Sequence, residues 1–157
     1  MNKILSRREL KEILDQERPR GKRIVFTNGC FDLLHVGHIA CLREAKRHGD
    51  ILVVGLNSDT SVASIKGPSR PIVPEAERAA IVAALEPVDF VTLFEEDTPQ
   101  DLIAYLQPHV LVKGGDWKKA DIAGSDIVED VVIVPSVVGV STTDIIARIE
   151  ERLLSKR

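Results

Sequence analysis

The stretch Arg23-Ile-Val-Phe-Thr27-Asn-Gly-Cys-Phe-Asp32-Leu-Leu-His35-Val-Gly-His38 decides the fold. Its opening residues form an apolar run, the pattern of a buried strand. A helical pattern follows from about Val36 to His48: Ile39, Leu42 and Ala45 recur at helical spacing, and Gly49 stops it. Further along, apolar runs at Ile51–Asn57, Phe90–Phe94, Val110–Lys113 and Val131–Val134 alternate with helical segments. A short helix is expected after the second run, capped by Ser58 or Asp59. Lys66–Pro74 carries three prolines and is expected to be a loop. Pro74 opens a helix to about Leu85, Pro99 one to about Leu106, and Ser141 one to about Leu154. A leading helix spans Ser6 to Arg18. Strands that are apolar on both faces and separated by helices belong to a parallel sheet covered on both sides. The expected fold is therefore α/β: a Rossmann-like, doubly wound, five-stranded parallel sheet with helices on both faces. Residues 1–22 form an N-terminal helical extension and 23–157 the main domain. Ligands in such sheets sit beyond the carboxyl ends of the strands.

The 157 residues are 44% hydrophobic and 29% charged, the composition of one globular domain. No apolar run reaches the length of a membrane span, and no secretory leader is recognisable, so a cytoplasmic setting without membrane attachment is expected. Lysine and arginine number 21 against 24 acidic residues, a net charge of −3, which argues against a nucleic-acid partner. Cys30 and Cys41 are the only cysteines and suggest neither a disulfide framework nor a zinc cluster.

The residues that follow the strands carry the chemistry. Gly29 permits a tight turn, and Gly37 lets a ligand approach the helix start. His35 and His38, three apart, can reach one site where free N–H groups and the helix dipole favour an anion. They suggest a phosphate clamp; a structural cap is the bland alternative, and zinc lacks further ligands at typical spacing. Ser141-Thr142-Thr143-Asp144 opens the last helix. Ser141 is a natural N-cap with Asp144 as its partner, and the same hydroxyls and N–H groups suit a triphosphate. Lys66, Arg70 and Arg78 bring cations to a proline-stiffened loop and the helix after it, where phosphate binding competes with plain solvation. In Lys113-Gly-Gly115-Asp116-Trp117 the glycines admit a base or ribose, Asp116 can accept from ribose hydroxyls, and Trp117 is either a stacking or a lid aromatic. Asn57-Ser58-Asp59 can cap a helix, hold polyol hydroxyls, or both. Cys30 has no evident base and is expected to be structural.

Gly29-x-Phe31-Asp32-x-x-His35-x-Gly37-His38 resembles the signature of the cytidylyltransferase-like nucleotidyltransferases, and Val140-Ser141-Thr142-Thr143 resembles their second motif. Within that family, Asn57-Ser-Asp59, Lys66-Gly-x-x-Arg70-Pro, Phe94-Glu-Glu-Asp-Thr-Pro99, Val112-Lys-Gly-Gly-Asp116 and Ile122-Ala-Gly-Ser125 resemble one subgroup, the D-glycero-β-D-manno-heptose 1-phosphate adenylyltransferases. The likeness implies transfer of AMP from ATP to that sugar phosphate, with ADP-heptose and pyrophosphate as products, serving lipopolysaccharide or a related glycan. It implies His35, His38 and Lys66 as catalytic residues. It places Thr27, Asn28, Gly29, Phe31, Lys113, Gly115, Asp116, Ser141, Thr142 and Thr143 at the nucleotide. It places Asp32, Asn57, Asp59, Arg70, Arg78 and Trp117 at the acceptor. Mg²⁺ is expected to be held mainly by the nucleotide, with no protein metal site. Glycerol-phosphate cytidylyltransferases tend to have Lys where Asp144 stands and Arg-Thr-Glu-Gly where this chain has Ser136-Val137-Val138-Gly139, a departure that favours ATP over CTP. A sibling cytidylyltransferase, an FAD synthetase and a non-catalytic nucleotide-binding module are the alternatives. Dimers are common in the family, leaving the oligomeric state open. With only residues 1–22 before the first strand, a sugar kinase is expected on a separate chain.

Overall fold

A computed structural model describes residues 2–155. Five strands form one sheet: β1 (Ile24–Gly29), β2 (Ile51–Asn57), β3 (Phe90–Phe94), β4 (Val110–Gly114) and β5 (Asp130–Val134). Their spatial order is β3-β2-β1-β4-β5, and every pair is parallel. The chain winds outward from β1 to β3, then returns to place β4 on the other side of β1. The crevice between the carboxyl ends of β1 and β4 is thus the switch point where such sheets take ligands.

Six helices connect or flank the strands: α1 (Arg7–Glu17), α2 (Val36–Lys46), α3 (Asp59–Lys66), α4 (Glu75–Ala83), α5 (Gln100–Leu106) and α6 (Thr142–Leu154). Because strand side chains alternate, the sheet has two apolar faces. One carries Val25, Val54 and Leu56 against Leu42 and Ala45 of α2 and Ala79 and Val82 of α4. The other carries Ile24, Phe26 and Val53 against Leu10 and Leu14 of α1 and Leu102, Ile103 and Leu106 of α5. Leu10 and Leu14 have no exposed surface, and burying each stabilises the fold by roughly 1.5–3 kcal/mol. The leading segment also extends the sheet: Ile4 bridges Val91 in parallel, and the Leu5 amide donates to the Val91 carbonyl at 2.9 Å.

The loop expected over Lys66–Pro74 begins one residue later, because Lys66 is the last residue of α3 and Gly67, at φ +102°, turns the chain away. Among the described residues one buried side-chain polar atom lacks a partner, Oγ1 of Thr92 in β3. Thr92→Val keeps the shape and removes the unpaired hydroxyl. It is expected to stabilise the protein by about 1 kcal/mol in urea denaturation; a lower midpoint would mean that the hydroxyl bonds to an internal water.

Candidate active site

The β1–α2 turn is wound tightly. Phe31 and Leu33 both have left-handed backbones, at φ 48° and 56°, on either side of Asp32. Non-glycine residues hold such conformations only where their surroundings enforce them. Here Asp32 supplies the enforcement. Its carboxylate is buried and accepts from Arg70 Nε (2.7 Å) and from the amides of Ile72 (2.9 Å) and Val73 (3.0 Å). These donors hold its pKa below the usual carboxylate range in spite of burial, which acts the other way as the largest single influence. The Asp32 carbonyl accepts from Thr142 Oγ1 at 2.7 Å, which ties the turn to the start of α6.

The turn delivers two stacked imidazoles to the head of α2. The rings of His35 and His38 lie 3.8 Å apart between centroids, and Phe31 packs against His38 at 5.1 Å. His35 is the N-cap: its Nδ1 accepts from the Gly37 amide at 3.1 Å, and His38 Nδ1 accepts from the His35 amide at 3.3 Å. Both rings thus serve as caps through Nδ1. With each Nδ1 accepting, a neutral ring must carry its proton on Nε2, which becomes a donor. Burial, with the neighbouring His35 adding to it, pushes the His38 pKa down to about 4. Burial also lowers that of His35, while the Asp144 carboxylate opposes it. Both rings are neutral donors at neutral pH. A Cβ on Gly37 would come within 2.9 Å of the His35 ring, so only glycine leaves the cap seated.

The N-terminus of α6 adjoins this turn. Ser141 is the cap: its Oγ accepts from the Asp144 amide (3.0 Å) and donates to the Asp144 carboxylate (2.6 Å). The hydroxyls of Ser141 and Thr142 are thus engaged within the protein. The exposed side chain of Thr143 and the first-turn amides are what this helix offers an anion.

On the β4 side, the half-buried Lys113 lies 3.4 Å from Asn28 Oδ1 and 5.1 Å from the centre of the Trp117 ring. Trp117 is 43% exposed and donates from Nε1 to the Gly114 carbonyl at 3.1 Å. Gly115 adopts φ +110°, and the atom nearest a Cβ placed there is Trp117 Nε1, at 3.3 Å. Asp116 is exposed, whereas Thr27 is buried in β1. Lys66 is exposed at the end of α3, and its charge pulls on the Cys30 thiol, whose pKa burial nonetheless raises.

The side chains expected at the acceptor, Asp32, Asn57, Asp59, Arg70 and Arg78, each have a partner within the protein. Arg78 is 1% exposed. Its guanidinium donates to the carbonyls of Val73 (2.8 Å), Cys30 (2.6 Å) and Asn57 (2.9 Å) and to Asp59 Oδ1 (2.7 Å). Asn57 is buried and donates to Ser61 Oγ, which donates to the Glu96 carbonyl. Arg78 therefore braces the ends of β1 and β2 from beneath. Asp144 gains a part beyond capping, because its charge opposes the lowering of the His35 pKa. Its placement after a Ser-Thr-Thr run signals a cap and gives no hint of the histidine, which lies in a distant part of the chain.

Among the described residues no three His, Cys, Asp or Glu side chains converge as a metal site, and no helix is long and apolar enough to cross a membrane.

The cytidylyltransferase-like family model matches residues 26–148. A protein of Syntrophotalea carbinolica called bifunctional protein HldE is 54% identical over 155 residues, covering 96% of this chain and 32% of its own. One of the same name from Geotalea uraniireducens is 56% identical over 151 residues, covering 94% and 31%. The chain thus spans about a third of the length of the curated relatives it matches. Among solved structures, a lipopolysaccharide core biosynthesis protein from Thermoplasma volcanium superposes with a TM-score of 0.64 at 32% identity, over 74% of this chain and 99% of that one. A Francisella tularensis pantoate-beta-alanine ligase, at 16% identity and TM-score 0.61 over 84% and 66%, shares the fold.

Proposed function

Because the chain belongs to the cytidylyltransferase-like family, we propose that it transfers AMP from ATP to D-glycero-β-D-manno-heptose 1-phosphate, forming ADP-heptose and releasing pyrophosphate. The observation that carries this reading is the pair of backbone-capped, neutral histidines with free Nε2–H edges at the head of α2. The relatives named HldE and the lipopolysaccharide core protein support the sugar-phosphate acceptor.

In the reaction a phosphate oxygen of the acceptor attacks the α-phosphorus of ATP in line, and the bond to the pyrophosphate oxygen breaks. Such a displacement needs positioning and charge stabilisation rather than a covalent intermediate. His35 and His38 donate from Nε2 to the α-phosphate and the departing oxygen. The first-turn amides of α6 and the Thr143 hydroxyl form the cradle for the β- and γ-phosphates, and Ser141 and Thr142 hold that turn in place. The glycines after β4 and Asp116 receive the nucleoside, and Lys66 steers the acceptor phosphate inward. Thr27, Asn28, Gly29 and Phe31 shape the floor beneath the nucleotide. Mg²⁺ would be held mainly by phosphate oxygens of the nucleotide and water, where it would neutralise the triphosphate. A cytoplasmic setting, where ATP is at hand, suits this reaction.

The test is pyrophosphate release with ATP, CTP and GTP crossed against heptose 1-phosphate, glycerol 3-phosphate, phosphoethanolamine and FMN. ATP with heptose 1-phosphate should be the productive pair. Equal turnover with CTP would overturn the adenylyl assignment, and nucleotide binding without pyrophosphate release would make the chain a binding module.

A further inference from the structure

Two arginines beside the β1–α2 turn are used in opposite ways. Arg78 is engaged throughout: Nε, Nη1 and Nη2 donate to three carbonyls and to the Asp59 carboxylate, and its side chain has no exposed surface. Arg70 has one partner. Its Nε donates to Asp32 Oδ2 at 2.7 Å, and neither Nη nitrogen has a hydrogen-bond partner among the described residues. The side chain is only 14% exposed. Its Nη nitrogens are nonetheless open to solvent, since the one sealed and unpartnered side-chain atom among the described residues belongs to Thr92. A guanidinium carries five N–H donors, four of them on Nη1 and Nη2. Arg70 thus gives the protein its Nε–H and keeps the fork.

Asp32 fixes where that fork stands. Its carboxylate has no exposed surface and takes three donors from one short segment: Arg70 Nε and the amides of Ile72 and Val73. The guanidinium is therefore held by its Nε edge against a carboxylate that cannot itself move. Asp32 lies three residues before His35, beyond the carboxyl end of β1, and its carbonyl accepts from Thr142 at the start of α6. Arg70 is thus anchored where the histidine turn, the loop after α3 and the head of α6 meet, on the ligand side of the sheet. The left-handed backbones of Phe31 and Leu33 are retained around this carboxylate, and strain of that kind is kept at sites that need exact placement. A planar fork with both Nη groups open matches two oxygens of a phosphoryl group.

We infer that Arg70 binds a phosphoryl group of the bound substrates through Nη1 and Nη2, and that Asp32 is the positioning residue that holds it for this contact. Phosphoryl oxygens come from the nucleotide or from the acceptor, and the arms of the experiment separate the two. The inference rests on nucleotidyl transfer as proposed above.

The wild-type protein is treated with limiting phenylglyoxal, which condenses with the Nη nitrogens of arginine, and the modified peptides are read by mass spectrometry. Arg70 should react and Arg78 should not. ATP, heptose 1-phosphate and inorganic phosphate are added in separate arms, with potassium chloride at equal ionic strength as the control. Protection by ATP alone assigns the fork to the nucleotide; protection by heptose 1-phosphate or inorganic phosphate assigns it to the acceptor. An Arg70 that resists the reagent, or one that no phosphate ligand protects, would overturn the inference. In Arg70→Met the KM of the protecting substrate should rise about ten- to hundredfold, the scale of a lost charge-assisted contact. A lower melting temperature with both KM values unchanged would make Arg70 a structural residue. Asp32→Asn should show the same loss, and the double variant should lie within about threefold of the weaker single one, because Asp32 acts through Arg70. Additive losses would remove the positioning role. If phosphate ligands protect Arg70 but no ADP-heptose forms, the sugar reading fails and the Arg70 contact stands. If ADP-heptose forms and nothing protects, the Arg70 contact fails alone.

Discussion

Replacing His38 with alanine is expected to lower turnover by about two orders of magnitude or more, the scale for losing one transition-state donor. Nucleotide affinity should fall much less, because α6 and the β4 glycines are untouched. The expectation follows from the ring's protonation. His38 Nδ1 is occupied by the His35 amide, so its only free edge is a donor. Its pKa of about 4, against an ordinary 6.5, keeps that edge neutral throughout the physiological range. A proton titration of the ring by NMR should find its midpoint near 4 rather than near 6.5. The sign for stability follows. The unfolded chain binds the proton at the ordinary value, so the folded state loses stability as the pH falls from about 6.5 toward 4. In His38→Ala that part of the acid sensitivity should disappear. A folded variant with near-normal turnover would leave the histidines as caps only.

The second large effect concerns folding rather than turnover. Arg78→Met should destabilise the protein by about 3–5 kcal/mol, since it strands three carbonyls and a carboxylate that the guanidinium now satisfies. At roughly 2–4 °C per kcal/mol for a chain of this size, the melting temperature should drop on the order of 10 °C. The variant protein that remains folded should bind the acceptor with near-normal KM. A weakened acceptor KM at unchanged melting temperature would restore Arg78 to the substrate contacts expected from the sequence.

Arg78 also marks where sequence reading stops. The five strands were legible as short apolar runs, four of them closed by Gly, Pro or Asn, and three of the helices because Ser6, Ser58 and Ser141 stand at their caps. The HxGH turn was legible because its residue types are needed close together in the chain. The partners of charged residues were not. Arg78 meets Cys30, 48 positions away, and Arg7 forms a two-bonded pair with Glu96 across 89 positions. A sequence displays each cation but not what faces it, so a buried strut and a phosphate ligand look alike. The parallel bridge from Ile4 to Val91 was hidden for the same reason. Backbone strain at Phe31 and Leu33 was hidden too, because neither is glycine and only the grip on Asp32 explains it.

The most direct measurement supplies ATP together with heptose 1-phosphate carrying ¹⁸O in its phosphate group, and weighs the products. Attack by the acceptor phosphate on the α-phosphorus predicts ADP-heptose that retains all of the label, and unlabelled pyrophosphate. Formation of ADP with a labelled heptose bisphosphate, or the absence of ADP-heptose, would contradict adenylyl transfer at this site.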